Sequence, residues 1–75
     1  MTDQTYDARG LLCPLPVLRA RKVLEGMAPG AILTITCDDA IAIVDIPHFC
    51  AETGHDLCGM TEKHGVQTYR IKRGP

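Results

Sequence analysis

The stretch "ARGLLCPLPVLRARKVLEGMAPGAILTITCD", residues 8–38, changes its hydrophobic period part-way along, and that change decides the fold. From Pro14 the apolar residues recur at helical spacing: at about 100° per residue, Val17, Ala20, Val23, Leu24 and Met27 fall on one side, the stripe a helix turns toward a core. A helix is expected over Pro14–Met27, stopped by Gly26, Pro29 and Gly30. From Ala31 to Asp38 the period drops to two. Leu33, Ile35 and Cys37 share one face while Ile32, Thr34 and Thr36 share the other, the pattern of a half-buried strand.

Outward from this pair, Thr5–Arg9 reads as a short first strand ended by Gly10. A second helix is expected from Asp45, a good N-cap residue, to Gly54, because Pro47 is tolerated in a first helical turn. The intervening "DDAIAIV" reads as a turn or a short distorted helix. Leu57–Glu62 and Val66–Arg73 follow as strands joined by "KHG", a hairpin signal, with Gln67, Tyr69 and Ile71 on one face of the last strand. The order β-α-β-α-β-β predicts an α/β fold, a two-layer sandwich in which both helices cover one face of a four-stranded mixed sheet.

With 75 residues and no repeat or linker, residues 1–75 read as a single domain too small for a large enclosed active site. The longest apolar run, Ala40–Val44, is far short of the ~20 residues that cross a bilayer, and "MTDQTYD" lacks the basic and apolar regions of a secretory leader. A cytoplasmic setting is therefore expected, with the four cysteines reduced rather than paired. Residues 31–60 carry five acids and no Lys or Arg, whereas Lys63, Arg70, Lys72 and Arg73 face a single acid, Glu62, after residue 60. Such asymmetry can orient a protein partner. It does not make the basic, aromatic-bearing surface expected for direct nucleic-acid binding, and no membrane contact is expected.

Cys13 stands out. Pro14 fits the first helical position, where its missing N–H is no loss, which makes Cys13 the expected N-cap with its sulfur at the positive end of the helix dipole. Such a setting lowers a thiol pKa, and Pro16 limits the effect by removing one of the two backbone donors, so a modest depression is expected. The prolines stiffen the backbone around an exposed sulfur and reduce the entropy lost when a partner docks. Leu15 and Leu18 lie outside the core stripe and, with Arg19 and Lys22, make a candidate docking patch beside it. The other reading of the same spacing is an inert, packed cysteine.

With these residues in view, the chain resembles the TusA (SirA-like) sulfur carriers. The likeness runs through "DARGLLCPLPVLRARKVL" with its Cys-Pro-x-Pro element at Cys13, Pro14, Leu15 and Pro16, then "GAILTITCDD", "DIPHFCAETGHDL" and the closing "YRIKR". It implies that Cys13 carries sulfane sulfur as a persulfide and that Pro14 and Pro16 shape its helix start. Asp45, Ile46 and Pro47 match the family's Asp-Ile-Pro opening of the second helix, and Gly54 and His55 its Gly-His turn. Implied partners are a cysteine desulfurase or rhodanese-type donor and a downstream acceptor protein, in tRNA 2-thiouridine synthesis, molybdenum cofactor supply, sulfur oxidation or selenium-related routes. Where the family often has Asp-Pro-Ala, this chain has Asp38, Asp39 and Ala40, followed by the unusually apolar Ile41, Ile43 and Val44, which are expected to help close the core, the other reading being a contact surface particular to this branch.

The chemistry so implied is thiol-persulfide exchange, a sulfurtransferase reaction needing no metal or organic cofactor. Cys37, Cys50 and Cys58 read as packing residues. A metal site built from His48, Cys50, His55, Cys58 and His64 is the weaker reading, since His55 and Cys58 lack a second compact ligand pair. Two other classes stay open: a non-catalytic interaction module in which Cys13 is incidental, and a thiol redox protein that forms a disulfide.

Overall fold

The computed structural model describes residues 2–75 as β1 (Gln4–Asp7), α1 (Leu15–Glu25), β2 (Ile32–Cys37), α2 (Ala42–Thr53), β3 (Asp56–Lys63) and β4 (Val66–Lys72). The element order is the expected one, with each boundary but Val66 shifted. The strands form one sheet in the order β1-β2-β4-β3, with β1 parallel to β2 and β4 antiparallel to both of its neighbours. A parallel pair needs a crossover, and α1 supplies it.

Period-two patterning sets the register. Leu33 lies opposite Ile71, Ile35 opposite Tyr69 and Cys37 opposite Gln67, and all six side chains are buried beneath the helices. Gln67 is satisfied there, its Oε1 accepting the Tyr69 hydroxyl proton at 2.8 Å. From above, α1 contributes Pro16, Ala20 and Leu24, followed by Met27, and α2 contributes Ala42, Ile46, Phe49 and Cys50. Each large aliphatic side chain so buried contributes about 1.5–3 kcal/mol. Val17 and Val23, expected in the stripe, are only half-buried, because Pro16 turns inward in the first turn.

The second helix begins at Ala42, three residues before the expected Asp45. The reason is Asp39: its carbonyl accepts the Ala42 N–H at 3.0 Å and its Oδ1 accepts the Ile41 N–H at 3.1 Å, so it captures the donors a helix start leaves free. Pro47 consequently sits inside the helix, where it removes one backbone bond. With the inward stripe fixed at Ala42, Ile46, Phe49 and Cys50, the neighbouring Ile41, Ile43 and Val44 must face out. They are 48%, 44% and 64% exposed and do not close the core as expected.

β3 and β4 are joined by the two-residue loop His64-Gly65, with φ of 54° and 79°, the left-handed pair that lets a hairpin turn with the strand twist. Between Leu57 and Gly59 the β3 register shifts, leaving Cys58 without a cross-strand partner and exposed instead of packed.

The two ends of the sheet differ. At the end where β1 and β2 finish lie Cys13, Asp38 and Asp39. At the other end Arg73 donates from Nε to the Leu24 carbonyl at 3.1 Å and from Nη1 to the Gly74 carbonyl at 2.7 Å, while Gly74 donates its N–H to His55 Nδ1 at 2.9 Å. The Gly30 N–H and the Ala31 carbonyl pair with the Arg73 backbone at 2.8 Å, tying the α1–β2 loop to the last strand.

Candidate functional site

Cys13 is exposed at the tip of the helical layer, just before α1. The flanking residue of the helix is Pro14, not Cys13, and no side chain caps the helix; the Cys13-Pro14 peptide is cis. Two carboxylates from the start of α2 hold the cysteine instead. Its N–H donates to Asp39 Oδ2 at 2.6 Å, and its Sγ donates to Asp45 Oδ2 at 2.9 Å. Asp39 therefore bridges two loops, since its other oxygen holds the Ile41 N–H. Asp38 adds a third tie by accepting the Gly10 N–H at 2.9 Å.

This arrangement reverses the expected acidity. The Asp45 hydrogen bond, then partial desolvation and the charges of Asp45 and Asp39, push the Cys13 thiol pKa up rather than down. The α1 dipole acts the other way, but it amounts to about half a charge, whereas Asp45 is a full charge in contact with the sulfur. Asp45 is itself well placed, in the first turn of α2 where that helix's dipole favours an acid.

The other thiols differ. Burial pushes Cys37 and Cys50 to about 11 and leaves them as packing groups. Cys58 is exposed, its Sγ 3.6 Å from the Asp56 carbonyl. Among the described residues no three of His, Cys, Asp or Glu converge on a point that could hold a metal ion. His55, a member of the candidate set, instead packs against Phe49 with ring centroids 5.7 Å apart.

Around Cys13 the surface is apolar. Leu15 and Leu18 are 40% and 49% exposed, Arg19 and Lys22 are exposed beside them, and Leu12 is more open still at 69%. Of the motif prolines, Pro14 is exposed and Pro16 buried. Ile41 and Val44, also exposed, lie in the chain between Asp39 and Asp45, the two residues that hold Cys13. A shallow groove of about 240 Å³ leads from Pro14 and Asp45 between the helices, past Arg21, which lies 5.1 Å over the Phe49 ring, to Glu52, paired with His48 at 3.3 Å.

Residues 4–73 match the profile of the Sulfurtransferase TusA family. The chain belongs to that family. A protein of Neisseria meningitidis serogroup B is 46% identical over 72 residues, covering 96% of this chain and 97% of its own. The sulfur carrier protein TusA of Allochromatium vinosum is 39% identical over 71 residues, 95% of this chain and 93% of that one. The crystal structure of a SirA-like protein from Desulfitobacterium hafniense superposes with a TM-score of 0.82 at 32% identity, over 96% of this chain and 99% of the other. Like that SirA-like structure, this TusA-family chain is a small α/β fold, and no helix among the described residues is long and apolar enough to cross a membrane.

Sequence spacing pointed to Cys13 but not to its partners. Asp39 and Asp45 stand 26 and 32 residues further along the chain, and the second is marked in the sequence as a helix-start residue and by the Asp-Ile-Pro match, with no sign that it meets Cys13.

Proposed function

We propose that this protein is a sulfur carrier that accepts sulfane sulfur as a persulfide on Cys13 and passes it to a downstream acceptor protein. Membership of the TusA family gives the coarse role of sulfur transfer. The observation that carries the finer reading is the exposed Cys13 thiol, held in a Cys-Pro-x-Pro element at the tip of the helical layer with the exposed Leu12 and Leu15 close to it in the chain.

In the loading step the Cys13 thiolate attacks the outer sulfur of a donor persulfide. A new S–S bond forms, the donor's S–S bond breaks, and the donor leaves as a thiolate that takes up a proton. Attack of an acceptor thiolate on the outer sulfur of the Cys13 persulfide returns the carrier to its thiol. The sulfane sulfur moves without an external oxidant, and the chain supplies position and surface rather than a cofactor. Leu15, Leu18, Arg19 and Lys22, with Leu12, Ile41 and Val44, form the docking rim. The donor is a cysteine desulfurase or a rhodanese-type protein, and the acceptor belongs to a relay such as tRNA thiolation, molybdenum cofactor supply or sulfur oxidation, in the cytoplasm where thiols stay reduced.

The test is to incubate the reduced protein with a cysteine desulfurase and cysteine, or with a rhodanese and thiosulfate, and to follow intact and peptide masses. The expected result is the gain of one sulfur atom mapped to Cys13 and lost on reduction. Folded protein that gains no sulfur from either donor, or gains it equally after Cys13→Ser, would overturn the reading.

A further inference from the structure

The contact between Cys13 Sγ and Asp45 Oδ2, 2.9 Å long, needs a proton on the sulfur, and that requirement makes it specific to one state of the carrier. A thiol donates; a thiolate cannot, and neither can an inner sulfur already bonded to a second sulfur. Exchange chemistry needs the thiolate, so the same contact holds the empty carrier in its less nucleophilic form. We propose that Asp45 is a positioning residue that reads the loading state of Cys13, holding the thiol by its proton when the carrier is empty and releasing the sulfur once it bears a second one.

The electrostatics agree with this division. The charged groups facing Cys13 are Asp45 of α2 and Asp39 of the preceding loop; Arg21 of α1 and His48 and Glu52 of α2 lie further along the groove. Among the described residues the charges acting on the sulfur are both acidic. A hydropersulfide is a stronger acid than a thiol, so the loaded group carries its charge on the outer sulfur. Beside the Asp45 carboxylate that anion is repelled, which turns the transferable atom away from α2 and toward an incoming acceptor. Loading thus exchanges a hydrogen bond for a repulsion at one residue. The free thiol is also shielded, since an empty carrier kept protonated reacts slowly with stray electrophiles. The inference rests on the carrier reading for its loaded state but not for its empty one.

The experiment has one arm for each state. In the first, alkylation of Cys13 by iodoacetamide is followed across pH by peptide mass in the wild type and in Asp45→Asn, Asp45→Glu and Asp39→Asn. Asp45→Asn is expected to move the midpoint down; every pH unit of that fall gives about tenfold more thiolate near pH 7 and, because a less basic thiolate is less nucleophilic, about threefold to fourfold faster alkylation. Asp45→Glu is expected to restore much of the wild-type profile, and Asp39→Asn to move it less. A wild-type profile in Asp45→Asn, or an equal effect from Asp39→Asn, would overturn the proposal. Should Asp45→Asn fail to fold, the Cys13 β-carbon resonance of the wild type serves: it is expected to titrate above the ordinary ~8.5, and a midpoint at or below that value sinks the idea.

In the second arm inorganic polysulfide loads the wild-type protein, with intact mass as the check, and the Asp45 carboxyl carbon resonance is compared with that of the empty protein and of Cys13→Ala. It is expected to leave the empty position for the Cys13→Ala one; an unmoved resonance in loaded protein contradicts release. Failure to load is read from the mass and counts against the carrier role, while the first arm still decides what Asp45 does to the thiol.

Discussion

The two ends of the sheet solve the same problem, the free backbone groups of loops, with opposite materials. At the Cys13 end the N–H groups of Gly10, Cys13 and Ile41 are taken by the exposed or half-exposed carboxylates of Asp38 and Asp39, and apolar side chains are left in water. At the far end Arg73, Gly74 and His55 make a partly buried network that closes onto the last turn of α1. One end leaves its thiol and apolar side chains open to solvent, and the other closes over its own polar groups.

The largest effect is expected from Cys13→Ser. It is expected to abolish sulfur loading altogether while leaving thermal stability at the wild-type level, because the thiol's contacts are solvent-exposed; a large fall in melting temperature would show the open end to be structural after all. At the closed end, Arg73→Met keeps the aliphatic stem but removes the charged hydrogen bond to the Leu24 carbonyl. A loss of about 1.5–3 kcal/mol is expected in urea unfolding, with sulfur loading per folded molecule unchanged.

His55 sharpens the contrast through pH. Burial, then the charges of Arg73 and Arg21, hold its pKa below the ordinary 6.5, and its Nδ1 must be unprotonated to accept the Gly74 N–H. A folded-state pKa below the unfolded one means that the unfolded chain binds the proton more readily. The neutral ring's contribution is therefore complete above 6.5 and is lost as pH falls below it. Melting temperature is expected to decline from about pH 7 to about pH 5, with a shallower decline in His55→Gln; parallel curves for the two proteins would remove His55 as the cause. The smallest expected effect is Val44→Ser on the open rim. Stability is expected to change by no more than about 0.5 kcal/mol, and donor affinity to weaken, as read by calorimetric titration with a donor that loads the protein.

How far the sequence foretold this follows from the range of each interaction. Leu33, Ile35 and Cys37, like Gln67, Tyr69 and Ile71, declare their buried face through a period that spans only a few residues, and His64-Gly65 declares its turn in two. The start of α2 departs from the expected Asp45 because Asp45 is a good N-cap residue by type, whereas the folded helix starts on Ile41 with Asp39, two residues before it, taking the Ile41 and Ala42 N–H groups. Ile41, Ile43 and Val44 were misjudged for the same reason: shifting the helix start changes which residues belong to its inward stripe. The acidity of Cys13 was the largest miss. Its neighbours in sequence suggest a helix dipole, but its neighbours in space are two carboxylates, Asp45 from the first turn of α2 and Asp39 from the loop before it.

The outward turn of Ile41, Ile43 and Val44 has a consequence for how such a chain can diverge. These positions carry little of the core and stand open to solvent between Asp39 and Asp45 in the chain, the two residues that hold Cys13. Substitutions there cost the fold little, and where the proposed rim receives donor and acceptor, they act chiefly on which protein can sit on it. A duplicated copy could be steered to a new donor or acceptor by rewriting these few letters, while the sulfur chemistry and the closed end pass unchanged from parent to copy.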